Sequence, residues 1–120
     1  MGATHVPVTI ANPGDPQRKW EGSFLIDTGA TDCYVPAKHL REIGIEAVGR
    51  RSYELADGSE NEMDIGIARL EILGQIVGAT VIFGSDDAEP LLGVTALESG
   101  GFEVDPKTQR IKRLPSVRLK

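Results

Sequence analysis

The chain has 120 residues, 40% of them hydrophobic and 26% charged, a length that makes one domain and excludes a second full one. Its net charge of -5 and pI of about 5.0 argue against nucleic acid as the principal partner. A single cysteine excludes an internal disulfide and points to a reducing, cytoplasmic setting.

No basic-then-apolar leader opens the chain and no apolar run approaches about 18 residues, so neither secretion nor a membrane span is expected. The 14 Gly and 7 Pro suggest many turns joining short strands, hence a mostly β domain.

His5 to Ile10 alternates β-branched residues, and Pro7 confines it to an edge or terminal strand. Asn12-Pro13-Gly14-Asp15-Pro16 is dense turn chemistry, so this strand folds back on a second one over Lys19 to Ile26. Trp20 within it reads as core or partner-facing.

The second strand runs into Phe24-Leu25-Ile26-Asp27-Thr28-Gly29-Ala30-Thr31. Three apolar residues deliver a carboxylate from a rigid strand end into a tight turn, where Thr28 offers a local hydroxyl and Gly29 permits close backbone approach. Carboxylates held this way are where catalytic pKa values are set. Taken alone, Asp-Thr-Gly reads more often as a structural exit from a strand than as a catalytic turn, and only the later residues reverse that balance.

Cys33-Tyr34-Val35 continues as a short strand, and Cys33, with no activating base nearby in sequence, reads as a buried structural thiol. Pro36 to Gly44 has Pro at its start and Gly past its end, the signature of a two-turn helix, with His39 expected to face solvent. His5 and His39 lack the neighbouring ligands of a zinc site, so no metal is expected.

Ser52 to Leu55 and Glu62 to Ile65 flank Ala56-Asp57-Gly58-Ser59-Glu60-Asn61, placing Asp57-Gly58 at the tip of a β-hairpin. Its strands are polar, so few apolar anchors tie it to a core and it should be free to move. Gly66 to Leu73 and Ile76 to Phe83 are two further strands turned at Gly74-Gln75, the second more buried. Asp86, Asp87 and Glu89 in the following loop lack the spacing of a calcium site and read as solvated. Leu91-Leu92-Gly93 leads into a short helix ended by Gly100-Gly101, and Phe102 to Leu114 reads as strand, Asp-Pro turn, strand. Arg110, Lys112, Arg113, Arg118 and Lys120 give the C-terminus a basic character, read as a solvated tail; residues 1–5 and 115–120 are expected to fray.

Apolar-apolar-Asp27-Thr28-Gly29-Ala30, the hairpin at Asp57-Gly58 and Leu91-Leu92-Gly93 before a short helix resemble, in this order and spacing, the retropepsin-like (retroviral-type) aspartic proteases. The resemblance spans roughly Val6 to Leu114 and is closer to short cytoplasmic microbial members of that clan than to viral enzymes. It implies a single-domain closed β-barrel with one or two short helices, and a homodimer in which Asp27 of each chain meets on the two-fold axis.

It further implies an endopeptidase without a cofactor, acting on an extended polypeptide. Asp27, Thr28 and Gly29 form the catalytic turn, with Thr28 bracing the opposite chain. Ala30 and the hairpin residues Ala56, Asp57, Gly58 and Ser59 bind substrate, the hairpin acting as a flap. Thr31 and Val94 stand where viral enzymes carry an Asp–Arg pair near the dimer interface, so that brace is absent. A non-catalytic dimerisation or peptide-binding module on the same fold is the alternative.

Overall fold

The computed structural model describes residues 4–108 and 110–119. Strands β1 (His5–Asn12), β2 (Asp15–Asp27), β3 (Cys33–Pro36), β4 (Gly49–Glu54), β5 (Glu60–Ile72), β6 (Gln75–Gly84) and β7 (Leu91–Gly93) form one sheet in the order β1-β2-β7-β3-β6-β5-β4. Outside it lie two short helices, α1 (Ala37–Glu42) and α2 (Val94–Ser99), and a small second sheet of β8 (Phe102–Val104) and β9 (Ile111–Arg113). The chain is mostly β, as its composition predicts. β1 also pairs with β5, from Val8↔Ile72 to Ala11↔Arg69, although the two are not neighbours in the main order.

Period-2 alternation explains which faces meet. Val6, Val8 and Ile10 of β1 point inward, as do Ala68, Leu70 and Ile72 of β5, while Ile67, Arg69 and Glu71 are exposed. These side chains join Phe24, Val35, Leu40, Val81, Leu92, Leu97 and Phe102 in one core. Each fully buried aliphatic or aromatic side chain there contributes about 1.5–3 kcal/mol of transfer free energy. Cys33 belongs to this core, as its sequence context suggests.

Several elements differ from their expected extents. β2 begins at Asp15, because only Pro13 and Gly14 separate the paired residues Asn12 and Asp15. β5 runs unbroken from the hairpin through Gly66, where a Cβ would stand 3.0 Å from Ile45 and Phe83 and 3.1 Å from the Glu46 carbonyl, so these neighbours would have to give way to any side chain. His39 is not solvent-facing. Its ring stacks on Trp20 at 3.8 Å and 11°, and Trp20 in turn lies 6.0 Å from Phe24.

The acidic loop is also less free than its composition suggests. Asp86 Oδ1 accepts the Lys38 N–H at 2.9 Å, near the start of α1, and Glu89 pairs with His5 at 2.6 Å. His5 itself belongs to β1, and the Thr4 carbonyl accepts the Ile26 N–H at 2.9 Å. Residues 1–3 and Lys120, part of the expected frayed ends, lie outside the described residues.

Candidate active site

Parallel pairing of β2 with β7 builds the site. Leu25, Ile26 and Asp27 are in register with Leu91, Leu92 and Gly93, so both strands release their following loops at the same edge of the sheet. Asp27 is partly buried there. Its Oδ1 accepts the Gly29 N–H at 3.0 Å, and its carbonyl accepts the Ala30 N–H at 3.1 Å, closing the turn.

The first turn of α2 then holds the loop. Helix starts leave backbone N–H groups without intrahelical partners, and Gly93 at the N-cap position supplies no side chain to satisfy them. Val94 N–H donates instead to the Ala30 carbonyl at 2.8 Å, and Thr95 donates to the Thr31 carbonyl through its N–H (3.2 Å) and its hydroxyl (2.7 Å). The backbone around Gly93 has no room to spare: a Cβ would lie 2.6 Å from the carbonyl carbon and oxygen of Asp32.

The β4–β5 hairpin arches over this turn and encloses an open cleft of about 960 Å³. Asp27, Gly29, Ala30, Tyr34, Ile82 and Leu91 line its floor, while Arg51 to Ala56 and Met63 come from the hairpin. Gly58 at the tip adopts φ +86°, the left-handed conformation that the Asp-Gly pair predicts. Asp57 Oδ1 accepts both the Ser59 hydroxyl (2.6 Å) and the Ser59 N–H (2.9 Å), which hold its pKa below the usual carboxylate value.

Of the eight residues singled out from the sequence, Asp27, Gly29, Ala30 and Ala56 line the cleft. Asp57, Gly58 and Ser59 form the exposed tip of the hairpin, and Thr28 is exposed on the turn.

One residue of the site was missed. Asp32 is the one buried charged residue among those described, its side chain 6% exposed. Its Oδ2 accepts from Arg51 Nη1 at 2.9 Å and from the Tyr53 hydroxyl at 2.6 Å. These two residues alternate along β4, so they share its cleft-facing side. The hairpin is therefore tied to the loop that follows Asp27 by polar contacts, where its sequence suggested that little would hold it.

The ionisation behaviour follows from this packing. The Asp32 charge beside it raises the Arg51 pKa. Burial, then the Asp32 hydrogen bond and charge, push the Tyr53 hydroxyl up to about 12. Burial also pushes the Cys33 thiol up to about 11, partly opposed by a backbone hydrogen bond from Gly93. A thiol this hard to ionise is a poor nucleophile.

Residues 18–99 match the family described as "gag-polyprotein putative aspartyl protease". The chain belongs to this retropepsin-like aspartic protease family. The match contains the Asp27 turn, the β4–β5 hairpin and the β7–α2 segment together. Among solved structures, the retropepsin-like chain is similar to the solution structure of Simian Foamy Virus (mac) protease, with a TM-score of 0.55 and 20% identity over 78% of this chain and 91% of that one. That similarity shows a shared fold. No curated protein matches the sequence. Among the described residues no group of three or more His, Cys, Asp or Glu is placed to hold a metal, and no helix is long and apolar enough to cross a membrane.

Proposed function

We infer that the protein is an aspartic endopeptidase that hydrolyses peptide bonds with water activated between Asp27 and its counterpart in a second copy of the chain. The observation that carries this reading is the Asp27 carboxylate itself, held at a strand end by the Gly29 N–H and open to a cleft roofed by the flap hairpin. Membership of the aspartyl protease family supports it. The β1–β5 pairing, in addition to the main strand order, supports reading the main sheet as a closed barrel.

The chemistry requires two carboxylates sharing one proton. The ionised one accepts a proton from water as its oxygen attacks the scissile carbonyl carbon; the neutral one donates its proton to the carbonyl oxygen. Collapse of the tetrahedral intermediate returns a proton to the leaving amine. Asp-Thr-Gly occurs once in the chain, so a dyad requires a homodimer with a two-fold axis beside Asp27. The pair titrates as a unit.

Thr28, exposed on the turn, braces the opposite turn across that axis, and Gly29 presents backbone to the substrate. Ala30 and Ala56 flank an extended peptide between floor and flap, and Asp57, Gly58 and Ser59 close over it.

The test is cleavage of an unfolded protein mixture across pH 4 to 7, with wild type beside Asp27→Asn and products read by mass spectrometry. Cuts made by the wild type and missing from Asp27→Asn are the expected result. Equal cutting by both would sink the mechanism. Absence of cuts from a preparation that sediments as a dimer would point to the peptide-binding alternative.

A further inference from the structure

The two opposite charges on the cleft wall are unequally presented. Asp32 is 6% exposed and Arg51 50%, and their contact uses a single Nη1–Oδ2 bond. The carboxylate thus lies behind the guanidinium, with Tyr53 capping the same oxygen. A side chain entering this part of the cleft meets the cation first.

We propose that Arg51 is a specificity-determining residue that binds the carboxylate of a Glu or Asp side chain in the polypeptide substrate, a reading that rests on the peptide-cleaving function above. Asp32 anchors one corner of a planar fork with five N–H donors, so the guanidinium is oriented before a ligand arrives and loses less freedom on binding. Met63, opposite Arg51 in the strand register, and Ile82 supply apolar surface for the stem of the incoming side chain.

The other charges in the cleft sharpen the preference. The proton-sharing Asp27 pair keeps one negative charge at the catalytic turn, which disfavours an acidic substrate side chain there and leaves the Arg51 wall as the place where one is accepted. Glu54, the last residue of β4, also borders the cleft and is paired in register with Glu60, so a second region of negative charge lies toward the hairpin tip and away from Arg51.

The decisive experiment uses peptide pairs that differ only by Glu against Gln, or Asp against Asn, scanned along a cleavable sequence. Wild type is expected to favour the acidic member at one position by about tenfold to a hundredfold in kcat/KM, the range of a charge-assisted hydrogen bond. Arg51→Met should bring that ratio close to one, and Arg51→Lys, which keeps the charge, should retain part of it. An anchor with a purely structural role would lower both members equally, so an unchanged ratio in Arg51→Met overturns the assignment.

Binding of the same labelled peptides to the Asp27→Asn chain gives a second readout that needs no catalysis. A Glu preference in binding without cleavage by wild type would sink the peptidase reading and leave this one standing. A ratio near one in both readouts of the Arg51-bearing protein overturns it.

Discussion

Asp27 and Gly93 face each other as the last paired residues of two parallel strands, and the backbone of residues 31 and 32 lies against Gly93 with no space for a side chain. The position of the Asp27 turn therefore depends on a hydrogen atom at a glycine far away in sequence, at the end of β7. A methyl group added at Gly93 would displace main chain, which cannot swing aside as a flexible side chain would.

Gly93→Ala is accordingly expected to destabilise the fold by about 1–3 kcal/mol, the usual cost of overpacking a tight site. Urea denaturation of the variant checks this. On the proposed mechanism, cleavage should fall further than the loss of folded protein explains, because the displaced backbone carries Asp32 and adjoins the Asp27 turn. A variant with wild-type stability would show that the loop yields more easily than this packing implies.

Tyr53→Phe removes one of the two donors to the buried Asp32 carboxylate and leaves the ring in place. The expected loss is about 1 kcal/mol of stability. Backbone amide exchange in β4 should rise relative to β5–β6, since the contact ties the hairpin to the loop that carries Asp32. Unchanged exchange in β4 would count against Tyr53 as a tether of the flap.

Alkaline stability should report on Cys33. Burial raises its pKa from 9.0 to about 11, so the folded chain holds the thiol proton more tightly than the unfolded chain does. Between those two values the unfolded state binds fewer protons, and stability falls as pH rises. The contribution is fully present below pH 9.0 and is lost through about pH 11, amounting to roughly 2–3 kcal/mol. Tyr53, raised from 10.0 to about 12, adds a loss of the same sign at higher pH. Urea midpoints measured from pH 8 to 11 should show a shallower decline in Cys33→Ala than in wild type, whatever the variant's absolute stability.

His39 carries a buried Nδ1 that, among the described residues, has no hydrogen-bond partner, while its ring stacks on Trp20. His39→Phe keeps an aromatic ring against Trp20 and removes the unsatisfied atom. Thermal melts at neutral pH should show equal or greater stability, by up to about 1 kcal/mol. A clear loss would mean that the nitrogen is solvated or bonded in solution.

The retropepsin-like architecture was legible where its signals are local. Apolar alternation in His5 to Ile10, the strand that stops at Asp27, the Asp57-Gly58 tip and Leu91-Leu92-Gly93 all lie within a few residues of the structure they specify. Helix α1 was equally readable, with Pro36 at its N-cap and Gly44 just beyond its end. His39 misled because a six-residue helix gives too short a period to tell which face a distant Trp20 will cover.

Local signals were enough to place a carboxylate at a rigid strand end and, 30 residues on, an Asp-Gly hairpin, because strand, turn and glycine chemistry act over neighbouring residues; the hairpin's place over Asp27 came only from the family resemblance. The burial of Asp32 against Arg51 and Tyr53, 19 and 21 residues onward, came from long-range packing. In sequence Asp32 is one more polar residue after a turn. It becomes a buried charge only when β7 and α2 fix the loop beneath β4, and a buried carboxylate is tolerable only where folding brings its donors to it. The wall of the cleft, and with it the group that an incoming side chain meets, was therefore set by packing between segments that share no local pattern.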